Sequence, residues 1–236
     1  MTPGRFASDS FYVALDASGA GGHVAVSRGP HVLARARLDY RGQHAGALIP
    51  ALHGSREDAG VERGEIAGVV VGEGPGSFTG VRVAAATAKG LARALQVPLW
   101  AVSSLAAAAI TSWDGGSPVV RYVLFDARAD RVYAGCYGMG GRGMQTLVRP
   151  HATDLRTVLA AEVPPGAEFV GDGATKHSAA IHGAGFSVPE GVPADSTGDG
   201  LIRFLAIHSD ISPVATLETW EPRYLKPSSA ERASVS

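Results

Sequence analysis

The residues best placed to do chemistry lie in the stretch VVVGEGPGSFTGVRVAAATAKG, positions 69–90. There Gly74, Pro75, Gly76, Ser77, Thr79 and Gly80 form a turn between an apolar run and an Ala-rich one. A glycine-rich turn that opens a helix can present backbone N–H groups to phosphate, so nucleotide chemistry is the first possibility. The phosphate-loop pattern needs Lys and then Ser or Thr directly after the last glycine. Here Gly80 is followed by Val81 and Arg82, and Lys89 stands far down the helix. The dinucleotide pattern fails as well: Gly74, Gly76 and Gly80 are spaced G-x-G-x-x-x-G, and no acid follows in the window PLWAVSSL, about twenty residues on. Taken residue by residue, the stretch reads as a strand, a sharp turn and a helix. Its glycines allow positive φ, Ser77 or Thr79 caps the helix, and Gly80 lets the helix sit close to a sheet.

The other reactive side chains lack companions. His44 has no Ser, Cys or carboxylate partner in sequence, and packing at a helix end is its simpler role. Cys136 alternates with Tyr133 and Tyr137 in RVYAGCYG and reads as a small strand residue. Asp126 and Arg128 are spaced for a local ion pair at a hairpin, and Arg82, Lys89 and Arg93 for the solvated face of a helix. That same face has the charge to meet RNA phosphates or to flank an interface. No H-x-x-x-H pair occurs; His177 and His182 come nearest.

Elements must hold these residues in place. FYVALDAS, GHVAVSRG and HVLARARLDY predict a three-stranded meander, followed by a helix over 44–60 in which Pro50 requires a late start or a bend. IAGVVVGE (66–73) is apolar throughout, as a strand covered on both faces should be. The helix over 79–96 carries Val81, Ala84, Ala88, Leu91 and Leu95 on one face. PLWAV and a helix opened by Ser103 or Ser104 follow, and DGGSP (114–118) marks a boundary. Beyond it come a hairpin, the strand MQTLVRP, a short helix near 154–161, a strand over 167–171, irregular chain over 183–200 and a helix near 199–209. The expected division is an N-terminal lobe over 1–113, a C-terminal lobe over 114–210, and a tail over 211–236 that returns to the first lobe and then frays.

The bulk numbers agree with a globular chain of 236 residues: 45% hydrophobic, 18% charged, formal charge −1. Such a charge supplies no global field for nucleic acid or an anionic membrane. One cysteine, no signal-peptide pattern in MTPGRFASDS and no apolar run longer than LAAAAI point to a cytoplasmic protein with no membrane contact.

The longer string GEGPGSFTGVRVAAATAKGLARALQVPLWAVSSLAAAA is far more specific. It resembles the signature of the bacterial TsaB (YeaZ) family of tRNA threonylcarbamoyladenosine biosynthesis proteins. LDAS, QHAGALIP, DARADRVYAGCY and EPRYLKPS resemble the family's other motifs in the same order. The resemblance implies a two-lobed α/β fold of the actin, hexokinase and Hsp70 type, with mixed sheets flanked by helices. It implies no catalytic residue and no cofactor, with weak nucleotide binding at most. The implied partners are the catalytic transferase TsaD and the ATPase TsaE, with a homodimer when alone and tRNA reached indirectly.

TsaD is similar over the same turn and helix, after which it carries two metal-binding histidines. In that register Ser104 and Ala108 occupy the histidine positions, so the resemblance implies no metal. It also implies a subunit contact built from the two helices bearing His44, Leu48 and Leu52, and Val81, Ala84, Ala88, Leu91 and Leu95. Asp16 and Ser18 sit where related ATPases place a phosphate loop. They read either as a vestigial nucleotide cleft or as a strand-end cap bonding the turn amides of GAGG. Two enzymatic alternatives stand beside the partner reading. One is an ATPase or small-molecule kinase using the Asp16 loop, although GDGAT (171–175) lacks the final Gly of the second phosphate loop. The other is a glycoprotease-type metallopeptidase.

Overall fold

The computed structural model describes residues 5–39, 45–128, 130–141, 143–190 and 197–225. The first sheet contains β1 (Phe11–Asp16), β2 (Gly21–Arg28), β3 (His31–Asp39), β4 (Ile66–Gly72) and β5 (Leu99–Val102), in the order β3-β2-β1-β4-β5. β1, β2 and β3 form the antiparallel meander, while β4 and β5 join β1 in parallel. Side chains alternate across the sheet, and each face has its own cover. Val13, Leu15, Val24, Val26, Val69 and Val71 face α1 (Leu48–Asp58) and α2 (Phe78–Leu95). Tyr12, Ala14, Ala25 and Val70 face the opposite way.

Of the two outcomes expected at Pro50, a late start or a bend, the structure shows the late start. α1 starts at Leu48, so Pro50 falls in its first turn, where no intrahelical N–H bond is lost.

The second sheet has the order β8-β7-β6-β9, built from β6 (Val119–Asp126), β7 (Arg131–Gly140), β8 (Gly143–Asp154) and β9 (Glu168–Val170). One face carries Tyr122, Leu124, Val132, Ala134, Cys136 and Phe169. It packs on α4 (Leu155–Ala160), α5 (Asp172–Lys176) and α6 (Ser178–Gly183). α5 and α6 are too short for a clear apolar period, and the sequence pattern did not separate them from loop.

Between the sheets lies α3 (Ser104–Ile110), every residue of which is buried. Leu105, Ala106, Ala108 and Ala109 meet Val123, Phe125, Tyr137 and Val170 of the second sheet. Ala107 turns toward the first sheet and the last helix, α7 (Thr197–Ile207). A Cβ on Gly200 would overlap the carbonyl oxygen of Ala107, so the two helices cross at backbone contact.

α7 corrects the expected lobe division, which grouped its residues with the second sheet. Its Leu201, Ile202 and Leu205 instead fill the first-sheet face left by Tyr12, Ala14, Ala25 and Val70. Residues 211–225 also lie on the first lobe. Val214 N–H donates to the Leu99 carbonyl (2.7 Å), and Trp100 Nε1 donates to the Ile211 carbonyl (3.1 Å). Residues 226–236, where fraying was expected, lie outside the described residues. Among the described residues no helix is long and apolar enough to cross a membrane.

One buried cation secures the C-terminal end of α3. Arg121 Nη1 donates to the carbonyls of Ala109 (2.8 Å) and Thr111 (2.6 Å), and its Nε donates to Glu168 Oε2 (3.2 Å). The guanidinium satisfies carbonyls that a helix end leaves unpaired and complements the negative end of the helix dipole. Replacing Arg121 with Met should therefore lower stability by about 3 kcal/mol, because two carbonyls and Glu168 lose their donor together. Urea unfolding followed by far-UV circular dichroism measures this, with a lower midpoint expected.

Candidate functional site

The glycine turn joins β4 to α2, and its backbone is engaged on every side. Glu73 N–H donates to the Val102 carbonyl (2.9 Å) and Gly74 N–H to Ser104 Oγ (3.1 Å). Ser77 N–H donates to the Ser18 carbonyl (2.7 Å), and Gly80 N–H to Ser77 Oγ (3.3 Å), which caps α2. Thr79, the other candidate cap, is exposed. Gly74 has φ +89° and is followed by a cis bond to Pro75. A Cβ on Gly80 would overlap the Ala17 carbonyl, and one on Gly76 the Ser18 carbonyl. The glycines thus permit close approach of the chain's own backbone. A phosphate cradle needs free N–H donors, and those of Glu73, Gly74, Ser77 and Gly80 already have protein acceptors.

Asp16 and Ser18 lie directly behind this turn and are buried. Asp16 Oδ1 accepts from Ser18 N–H (2.8 Å), one residue before the GAGG amides expected from sequence, while Asp16 Oδ2 and Ser18 Oγ have no partner among the described residues. Across the cleft, Asp172 Oδ2 is 4.0 Å from the Cβ position of Gly19, and its Oδ1 accepts from Asp126 N–H (3.0 Å). Asp16 is fully buried, and Asp172 and Asp126 are engaged by the Asp126 N–H and by Lys176. Asp126 does not form the expected ion pair with Arg128. Its carboxylate meets Lys176 Nζ (2.9 Å), and Arg128 supplies only its backbone N–H, because its positive φ of 63° turns the side chain out of the hairpin.

The residues in the histidine register do not fit a metal. Ser104 Oγ is buried and already accepts from Gly74 N–H, and Ala108 offers no donor atom. Among the described residues no cluster of three His, Cys, Asp or Glu is spaced to hold a metal ion. Burial pushes the Cys136 thiol up to about 11, so it stays protonated near neutral pH and is not a nucleophile.

The stripe expected to build a subunit contact is interior instead. Leu48, Leu52, Val81, Ala84 and Ala88 are buried in the core beneath the first sheet, with Leu91 and Leu95 half-buried against it. A 3.6-residue period reports an apolar face but not what covers it, and here the sheet does. His44 lies outside the described residues. The outward side of α2 bears Thr79, Ala86, Gly90 and Ala94, and Ile49 of α1 is 49% exposed.

The basic face of α2 is not simply solvated either. Arg82 stacks on Phe78 (3.8 Å to the ring centroid) and donates to Tyr224 Oη (3.2 Å). Lys89 lies 5.7 Å from the Trp220 ring, and Arg93 pairs with Glu218 (3.0 Å). Arg223 pairs with Glu73 (3.0 Å), and its N–H donates to the Glu73 carbonyl, fixing the C-terminal segment to the turn. The return of this segment to the first lobe was expected, but its contacts with α2 cross more than a hundred residues of chain and were not legible from spacing.

The family model described as TsaD, tRNA N6-adenosine threonylcarbamoyltransferase, matches residues 39–197. A Bacillus subtilis protein named tRNA threonylcarbamoyladenosine biosynthesis protein TsaB is 36% identical over 53% of this chain and 54% of its own length. The chain belongs to this family, as a TsaB/YeaZ-type member. It spans about half the length of that curated relative in the match. An uncharacterized Mycobacterium tuberculosis protein is 31% identical over 80% of both chains. The solved YeaZ from Pseudomonas aeruginosa superposes with a TM-score of 0.70 at 27% identity, covering 92% of this TsaB/YeaZ-type chain and 100% of that one. The two-sheet α/β architecture is the fold class expected from the motifs.

Two measurements probe the turn. Gly80→Ala should lower stability by roughly 2 kcal/mol through overlap with the Ala17 carbonyl. Gly90→Ala, in open space on the same helix, should raise it by about 0.5–1 kcal/mol through helix propensity. Equal effects in thermal or urea unfolding would contradict the close-approach account. Glu73 gives a pH test, since burial raises its carboxyl above the ordinary 4.5, with Arg223 lowering it by less. The folded state holds this proton more tightly than the unfolded one. Wild type should therefore lose stability relative to Glu73→Gln as pH rises from 4.5 through the raised value, and the gap should then level off. Urea midpoints of both proteins between about pH 4 and 7 check the sign.

Proposed function

We propose that this chain is a non-catalytic partner subunit of a TsaD-type threonylcarbamoyl transferase. With a TsaE-type ATPase it serves transfer of threonylcarbamoyl to N6 of the adenosine beside the anticodon in tRNA, a cytoplasmic reaction. The observation that carries this reading is Ser104. Where the catalytic relative has a metal-binding histidine, this chain has a hydroxyl that holds Gly74 of the turn. The engaged N–H groups of the turn support the same reading, since donors already bonded to protein do not favour phosphate. The chain accordingly needs no cofactor of its own and holds nucleotide weakly if at all.

Pairing with the transferase, and self-pairing when alone, would use the outward side of α2 at Thr79, Ala86 and Gly90 together with Ile49 of α1. Small residues there let a partner helix approach closely, and apolar burial at about 25 cal/mol per Å² supplies affinity. A second reading draws on the unpartnered Asp16 Oδ2, which an ATPase of this fold would use. ATP turnover by the isolated chain, lost in Asp16→Ala, would favour it.

Size-exclusion chromatography with TsaD from the same organism tests the first reading. The two proteins should co-migrate, and Gly90→Arg or Ile49→Asp should weaken the complex by about tenfold or more without lowering the thermal unfolding midpoint. No co-migration, with or without nucleotide, would refute the partner role.

A further inference from the structure

The cleft between α2 and the C-terminal segment shares only Ala86 with the pairing surface above. Its volume is about 310 Å³, and its walls include Arg82, Ala86, Lys89, Trp220, Glu221 and Tyr224. The lining combines two alanines, two aromatic rings and two cations, with Lys89 5.7 Å from the Trp220 ring and Arg82 5.5 Å from the Tyr224 ring. This pairing of ring faces with positive charge is the arrangement that binds an unstacked base and its phosphate.

The state of each cation sharpens the point. Arg93 and Arg223 are neutralised by Glu218 and Glu73. Arg82 and Lys89 instead meet neutral oxygens, the Tyr224 hydroxyl (3.2 Å) and the Glu218 carbonyl (3.5 Å). A phosphate oxygen is a stronger acceptor than either, so it can displace them without breaking an ion pair. Arg82 and Lys89 against Glu221 leave a net charge of +1 around the cleft, which suits a single phosphate. The volume lies at the lower end of small-molecule sites, room for one nucleotide and not for a duplex groove. An acidic peptide would satisfy the cations alone, whereas a nucleotide also brings a base to the exposed ring of Tyr224.

We infer that this cleft holds one unstacked nucleotide of the RNA substrate, so that the chain touches tRNA directly. The inference rests on the tRNA-modification reading above for the identity of the RNA, and it replaces the expectation of indirect contact alone. Its test uses the full-length chain without partners. Fluorescence anisotropy is measured with a labelled anticodon stem-loop and with a fully paired RNA duplex of equal length, at about 50 and 200 mM salt. The stem-loop should bind more tightly than the duplex. Trp220→Leu should weaken stem-loop binding about tenfold, while Trp220→Phe retains most of it. Lys89→Ala should weaken binding and lower the salt slope by about one unit. Arg156→Ala, on the second lobe, should change nothing.

Absence of stem-loop binding at low salt would overturn the inference, as would binding indifferent to both Trp220→Leu and Lys89→Ala or equal affinity for the duplex. If Trp220→Leu abolishes co-migration with TsaD yet leaves RNA binding intact, the cleft is a protein-docking site and the inference fails. Absent RNA binding with intact co-migration strikes this inference alone. Lost co-migration in wild type with RNA binding retained strikes only the partner role.

Discussion

The architecture depends on one constraint, a helix of seven residues packed with no exposed surface between two sheets. α3 can occupy that space because most of its residues are alanine, and because Gly200 lets α7 cross it at backbone contact. A larger side chain at Ala107 or Ala109 would push the sheets apart, since interiors packed this densely have no void to absorb it. Burying a helix end also leaves carbonyls without water. Arg121 answers that need from the second sheet, so the cation that completes α3 also ties that helix to the second sheet.

The glycine turn extends this organisation to the first sheet's loops. Its donors and acceptors reach Ser18 after β1, Val102 and Ser104 between β5 and α3, and Arg223 near the chain's C-terminal end. Segments distant in sequence meet at one turn because glycine brings backbone to backbone at distances a Cβ forbids. The chemistry follows from the packing. Amides that hold protein oxygens do not hold phosphate, and the hydroxyl at the first histidine position serves the turn.

What remains at the surface is therefore the part of α2 that the sheet and the C-terminal segment leave open. One side presents small residues beside Ile49, and the other presents Arg82 and Lys89 among aromatic rings. The two sides suit different contacts, a helix on the first and a planar anion on the second.

By itself the sequence determined the local elements with strong patterns: the meander, the doubly covered β4, the turn at Gly74–Gly80 and α2. It also determined the family, through a string too long and specific to arise from turn chemistry alone. At Asp16 the sequence left a cap and a phosphate loop open, and the structure shows the side chain bonded to the Ser18 N–H. Only the tertiary structure decided what covers each face. Val81, Ala84 and Ala88 mark an apolar stripe whether a sheet or another subunit lies against it, and here the sheet does. α7 follows the second sheet in sequence but completes the first, and the partners of Arg82 and Lys89 arrive from beyond residue 217. Periodicity is a local property, whereas burial is settled by contacts between segments that the chain brings together only on folding.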